Sequence, residues 1–378
     1  MRVYLDNAAT TRVDDEVLDI MCETLREYYG NPSSTHFFGR KSKSLIERAR
    51  KNVAKHMNCK PGEIFFTSGG TEADNMALAC SVMDLGVKHI ITSSVEHHAV
   101  GHTAEDLKAK QGVKVSYVKL LQNGHVDLND LESLLKDNSE KTLVSLMHAN
   151  NEIGNLLPGD EVSALCRQYE AYFHTDTVQS MAHYTYDLQE FDVDFITCAA
   201  HKFHGPKGVG FLYVSDKVKI NPLIHGGAQE RNMRGGTENL HGIIGLSKAL
   251  DVAYDDLDGH RKHIEGVKKH MIQLLEDNIE GVRFNGTSRD LNESLYTVLS
   301  VSLPETAIGA MLLFNMDLLG VSCSGGSACT SGANKGSHVL SGINADPNRP
   351  TIRFSFSKYS TKEEVEYAVD QLVSLYKN

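Results

Sequence analysis

At 378 residues the chain exceeds what one ordinary hydrophobic core organises, so its length favours two domains. Its 41% hydrophobic and 23% charged content is that of a globular protein, and the net charge of −11 argues against a nucleic-acid backbone or an anionic membrane as main partner. The opening "MRVYLDNAATT" has no apolar signal core and no apolar run nears the roughly 18 residues of a membrane span, so a cytoplasmic location is expected. Seven cysteines (Cys22, Cys59, Cys80, Cys166, Cys198, Cys323 and Cys329) form an odd, scattered set without CxxC spacing, which disfavours both a disulfide framework and a zinc site.

In chain order, apolar β-rich runs alternate with amphipathic stretches: "EIFFT", "TEADNMALACSVMD", "HIITSS", "KVSYVKL", "LVSLMHA", "SALCRQYEA", "YFHTDT", "VDFITCA" and "VGFLYV". This alternation predicts a mostly parallel sheet covered by helices over residues 14–254. From "TENLHGIIGLSKALDVAYDDL" onward, long helices precede short strands such as "YTVLSVSL" and "TIRFSFS". Residues 255–378, joined by 1–13, therefore read as a smaller α+β domain. No repeat or Gly/Ser linker separates the two.

Chemistry-bearing residues gather at predicted strand ends. "TSGGTEADN" (67–75) joins a strand to a helix, so Gly70 and Thr71 suit an anion at a helix start. The purely structural reading takes Thr71 as N-cap and Asp74 as its partner at N3. Asp176 ends the run "FHTDT", and Lys202 ends the next, between His201, His204 and a glycine-rich turn. Small apolar neighbours suit Lys202 to imine chemistry. An Asp and a Lys on adjacent strand ends suit pyridoxal phosphate, with Asp176 keeping the pyridine nitrogen protonated and Lys202 binding the aldehyde. His97 in "SSVEHHAV" lies past another strand end, where an imidazole can stack on the ring and shuttle protons. Asn151 and Gln179 offer amides to the cofactor or substrate, and Arg353 offers a fork for a substrate carboxylate or for a structural ion pair.

The motifs "YLDNAATT", "GNPSS", "TSGGTEADN", "EHHAV", "HANNEIG", "HTDTVQ", "AAHKFHGPKGVG", "RNMRGGTENL", "SGGSACTSG" and "IRFSFS" occur in the order seen in cysteine desulfurases of the NifS/IscS class, which the chain resembles over nearly its whole length. The resemblance implies a fold-type I pyridoxal-phosphate enzyme with a mostly parallel seven-stranded sheet, acting as a homodimer. It implies conversion of L-cysteine to L-alanine, with sulfur left as a persulfide on Cys329 and passed to an acceptor protein. By matching motifs, Lys202 would be the Schiff-base lysine, Asp176 the partner of the ring nitrogen and His97 the stacked acid/base. Asn151 and Gln179 would contact the cofactor phenolic oxygen or substrate, and Arg353 the substrate carboxylate. Gly70, Thr71 and His201 would hold the phosphate, with Thr237 reaching it from the opposite subunit.

Three departures stand out. Ala199 replaces a serine that relatives often place two residues before the His of the His-Lys pair, removing one phosphate hydroxyl. Asn232 stands where glycine is common, a swap that Asn tolerates at positive φ. The sequence runs about 25 residues past Arg353, whereas longer relatives carry a further tail that helps dock an iron–sulfur scaffold. The acceptor is therefore open between such a scaffold, a tRNA-thiolation enzyme and a cofactor-biosynthesis protein. The rival readings are a selenocysteine lyase, a class V aminotransferase and a non-catalytic sulfur-relay protein on the same fold.

Overall fold

The computed structural model describes residues 1–137, 139–306, 308–325 and 336–377. β1 (Val3–Tyr4) leads into α1 (Asp15–Glu27) and α2 (Phe37–His56). The expected alternation follows as β2 (Ile64–Thr67), α3 (Gly70–Met83), β3 (His89–Ser93), α4 (His98–Gln111), β4 (Lys114–Val118), α5 (Leu128–Lys136), β5 (Thr142–Ser145), α6 (Gly159–Gln168), β6 (Tyr172–Asp176), β7 (Phe195–Ala199) and β8 (Gly210–Val214). Then come α7 (Leu240–Asp255), α8 (Leu257–Asn278), β9 (Arg283–Phe284), β10 (Val298–Ser302), α9 (Leu312–Leu318), β11 (Val321–Ser322), α10 (His338–Gly342), β12 (Thr351–Ser355) and α11 (Lys362–Lys377).

The seven strands β2 to β8 form one sheet in the order β2-β8-β7-β6-β5-β3-β4. Neighbours from β7 to β4 run parallel, while β8 runs antiparallel to both β7 and β2. Successive residues face opposite layers, as a pleated strand requires. Ile90, Leu143 and Phe195 pack against Ala73, Met76 and Ala77 of α3 and Val100 and Ala104 of α4. Ile91, Val144 and Ile196 pack on the other face with Leu45, Ala49 and Val53 of α2 and Ile243 and Leu246 of α7. Burial on both faces explains why these strands read as unbroken apolar runs.

A separate core joins Ile264, Val267, Met271 and Leu275 of α8 to Val365, Ala368 and Leu372 of α11, over the sheet β12-β10-β9. Val3 and Leu5 belong to this core, because β1 pairs in parallel with β11. The chain then returns from Asp6 across the ends of the large sheet to Asp14, whose N–H donates to the His204 carbonyl. No helix among the described residues is long and apolar enough to cross a membrane.

Candidate active site

A cavity of about 270 Å³ opens beyond the C-terminal ends of β3, β5, β6 and β7, the place where parallel sheets leave helix starts and strand ends facing one crevice. Asp176, His97, Asn151, Gln179, His201 and Lys202 all line it. Asp176 is 4% exposed and accepts the Val178 N–H through Oδ1 at 2.8 Å. Burial, then the neighbouring Asp74 carboxyl, push Asp176 up to about 7.

Lys202 ends the short 3-10 turn after β7, and its Nζ donates to the carbonyls of Ala8 at 2.6 Å and Ala9 at 2.9 Å. Gln179 Nε2 donates to the same Ala8 carbonyl at 2.9 Å. The segment crossing the sheet ends is thus fastened by two cavity side chains. His97 caps α4, its Nδ1 accepting the Ala99 N–H at 3.2 Å. Burial, then the Lys202 charge, pull His97 down to about 4, so the imidazole is neutral with its proton on Nε2. In the Asn150–Asn151 pair the roles separate. Asn150 is structural, accepting the Glu152 and Ile153 N–H groups and donating to the Val95 carbonyl, whereas Asn151 lines the cavity.

Gly70 and Thr71 lie in the first turn of α3, where N–H groups lack intrahelical acceptors and favour an anion. A Cβ on Gly70 would meet Val178 Cγ2 at 2.7 Å, so no larger residue fits there without a shift. The expectation that Thr71 caps this helix with Asp74 at N3 is corrected: the N-cap is Gly69, at φ 152°, which L side chains rarely adopt, and Asp74 is turned inward with 1% exposure. His201 also lines the cavity, with Thr10 Oγ1 3.2 Å from its Nδ1, and burial pulls it down to about 4. Ala199 lines the wall beside Gly70, so its side-chain direction is toward this anion end.

Arg353, in β12, is 2% exposed and reaches the cavity from the smaller sheet. Its Nη2 pairs with Asp6 at 2.9 Å and its Nη1 donates to the Asn151 carbonyl at 2.8 Å. The structural ion pair therefore exists, yet each terminal nitrogen keeps a second N–H. Cys329 lies outside the described residues. Thr237 is not in this cavity; it lines a separate one of about 200 Å³ with Ser68, Gly208 and Arg234. Thr237 follows a backbone stretch in which Glu230, Arg231 and Asn232 hold φ of 44°, 57° and 66°. Asn232 thus adopts the conformation expected for it. The two less suitable residues are anchored: Arg50 grips the Glu230 carboxylate twice, at 2.7 and 2.8 Å, and Arg231 donates to the carbonyls of Pro61 and Ile64.

Sequence reasoning missed His98, Glu152 and His338, which also line the cavity. The first two adjoin His97 and Asn151, and that adjacency was a usable signal. His338 is brought in from nine positions beyond Cys329, its Nε2 donating to the Glu96 carbonyl at 2.8 Å, while Ser337 donates to Glu152.

The chain matches the aminotransferase class-V family over residues 3–368, and it belongs to that family. It is 43% identical to "Cysteine desulfurase IscS" of Dictyoglomus turgidum, across 98% of this chain and 93% of that protein. Among solved structures it superposes on a NifS-like protein with a TM-score of 0.91 and 38% identity, over the full length of both. It also superposes on "SspA in complex with cysteine" with a TM-score of 0.82 and 28% identity, covering 95% of this chain and all of that one. The fold is that of the fold-type I enzymes to which the NifS-like proteins belong.

Proposed function

We propose that this chain is a cysteine desulfurase that uses pyridoxal 5'-phosphate to convert L-cysteine to L-alanine and to pass the sulfur to an acceptor protein. The observation that carries the reading is the pairing, in one cavity, of a buried carboxyl and a lysine amine on adjacent strand ends with an anion cradle beside them. The residues fit the cofactor. Asp176, buried and accepting the Val178 N–H, is suited to a protonated ring nitrogen. The α3 N-terminus at Gly70 and Thr71 and neutral His201 suit its phosphate.

When bound, pyridoxal phosphate supplies an aldehyde that captures amines and a ring that draws electrons from the substrate Cα. The chain's own groups do the rest. Lys202 Nζ holds the cofactor and takes the Cα proton; His97 Nε2 moves protons on the cavity wall. Asn151 and Gln179 orient polar atoms, and the spare Arg353 N–H groups clamp the substrate carboxylate. Cys329 receives the sulfur as a persulfide.

We read residues 14–254 as the large cofactor-binding domain and 1–13 with 255–378 as the small domain. The functional unit is a homodimer in a cytoplasmic setting, with Thr237 of each subunit completing the phosphate site of the other. Its placement in a cavity apart from Gly70 supports that reading. The test is incubation of the purified protein with pyridoxal phosphate and labelled L-cysteine. Equimolar alanine and protein-bound sulfur support the proposal. Stoichiometric pyridoxamine phosphate, or turnover confined to selenocysteine, favours the aminotransferase or lyase instead.

A further inference from the structure

The cavity floor holds a second carboxyl. Asp74 lies one turn into α3, 1% exposed, and lines the same cavity as Asp176. Its Oδ1 has no hydrogen-bond partner among the described residues, and His174 Nε2 is 3.5 Å away. Burial raises the Asp74 pKa, and the Thr197 hydroxyl, acting on this carboxyl as a hydrogen-bond donor, partly offsets the rise. His174 Nε2 lies 3.1 Å from that same hydroxyl oxygen, and Ser145 Oγ lies 2.8 Å from His174 Nδ1. With Thr197 donating to Asp74, the His174 Nε2–H is directed at the Thr197 oxygen and Ser145 donates to Nδ1. The imidazole is then neutral, as its complete burial requires.

Asp74 and Asp176 thus share one floor with unequal surroundings. Asp176 opens to the cavity, where a cationic ring nitrogen would face it. Asp74 faces neutral His174 and Thr197, and a negative charge on its Oδ1, which accepts no hydrogen bond among the described residues, would be buried with only the Thr197 hydroxyl to offset it. Two carboxyls so placed do not ionise independently. We propose that Asp74 is a positioning residue that holds the proton of this carboxyl pair, and so keeps Asp176 as the ionised member facing the ring nitrogen. The inference rests on the pyridoxal-phosphate reading above.

Burial raises both carboxyls to about 7, so the assignment rests on the orphaned Asp74 oxygen and not on these values. Glu96, from the turn beyond β3, is itself pushed up to about 8 by burial. His97 at the start of α4 is neutral, and Lys202, past β7, lines the cavity by its contacts with Ala8 and Ala9. Burial pushes Asp74 up to about 7 from an ordinary 3.8. The sign follows. Between those values the folded chain binds a proton that the unfolded chain has released, so Asp74 makes folding progressively less favourable as pH rises through this window.

The test compares wild type with Asp74→Asn, which keeps an acceptor for Thr197 but cannot ionise. In cofactor-stripped protein, the ratio of wild-type to variant unfolding constants should climb with pH by up to about tenfold per unit from pH 5 to 7, then level off. Parallel pH profiles overturn the proposal. Pyridoxal-phosphate affinity at pH 6 should be retained in Asp74→Asn and lost in Asp176→Asn; equal losses would make Asp74 a ring contact and overturn it too. Asp74→Ser, also unable to ionise, repeats the comparison if the Asn chain does not fold, and failure of both to fold contradicts a neutral Asp74. If wild type takes up no cofactor, the functional reading fails, while the unfolding profiles still judge the carboxyl pair.

Discussion

Lys202 and Ala8 are 194 positions apart in sequence, yet Lys202 Nζ donates to the Ala8 carbonyl at 2.6 Å. The amine is thereby held against the segment that leaves β1, and the same carbonyl also accepts from Gln179. Lys202→Ala should abolish borohydride-stable attachment of pyridoxal phosphate and lower turnover by several orders of magnitude. Peptide mapping after reduction checks it; attachment to another lysine contradicts the assignment.

Arg353→Lys keeps a cation near Asp6 but loses the planar fork. The KM for cysteine should rise on the order of tenfold, the loss of about one charge-assisted hydrogen bond, with kcat changed less. Steady-state kinetics check it; a drop in kcat at constant KM would place Arg353 elsewhere in the reaction.

Arg50→Ala strips the buried Glu230 carboxylate of its bidentate partner and should destabilise the fold by about 3–5 kcal/mol. Because Glu230 opens the left-handed stretch leading to Thr237, cofactor affinity should fall as well. Urea denaturation checks the stability loss. The pair Arg50→Met with Glu230→Leu should recover part of it, since no buried charge is then left alone.

Ala199→Ser places a hydroxyl on the cavity wall beside Gly70. One charge-assisted hydrogen bond to the phosphate should tighten pyridoxal-phosphate binding by about tenfold, worth roughly 1.4 kcal/mol. Titration into cofactor-stripped protein measures it, and unchanged or weaker binding contradicts the missing-hydroxyl account.

The parts of this site that were legible in the sequence are those whose signal is local. Asp176 and Lys202 end apolar runs, and the register pairing Asp176 with Thr197 sets their two strand ends side by side, as the order of the runs suggested. Gly70 was found through its strand-to-helix turn. What was not legible depends on partners distant in the chain. Asp74 looks like a first-turn capping residue until His174 and Thr197 arrive from β6 and β7. Arg50 looks like a surface arginine until Glu230, 180 positions on, closes over it. The reversal of β8 was hidden for a related reason: "VGFLYV" is apolar throughout, and burial on both faces erases the alternation that might have set it apart from its parallel neighbours.

The central claim is that sulfur leaves cysteine on a single thiol of this chain. Labelled L-cysteine should be supplied to wild type, Cys329→Ser and Cys323→Ser, each loaded with pyridoxal phosphate, and alanine and protein-bound persulfide measured by mass spectrometry. Cys323 is half-buried, and burial, then Asp6, push its thiol up to about 12, which leaves scarcely any thiolate at neutral pH. The account predicts persulfide on Cys329 in wild type and in Cys323→Ser, with alanine formation falling by orders of magnitude only in Cys329→Ser. Wild-type alanine formation by Cys329→Ser, or persulfide found on Cys323, would contradict it.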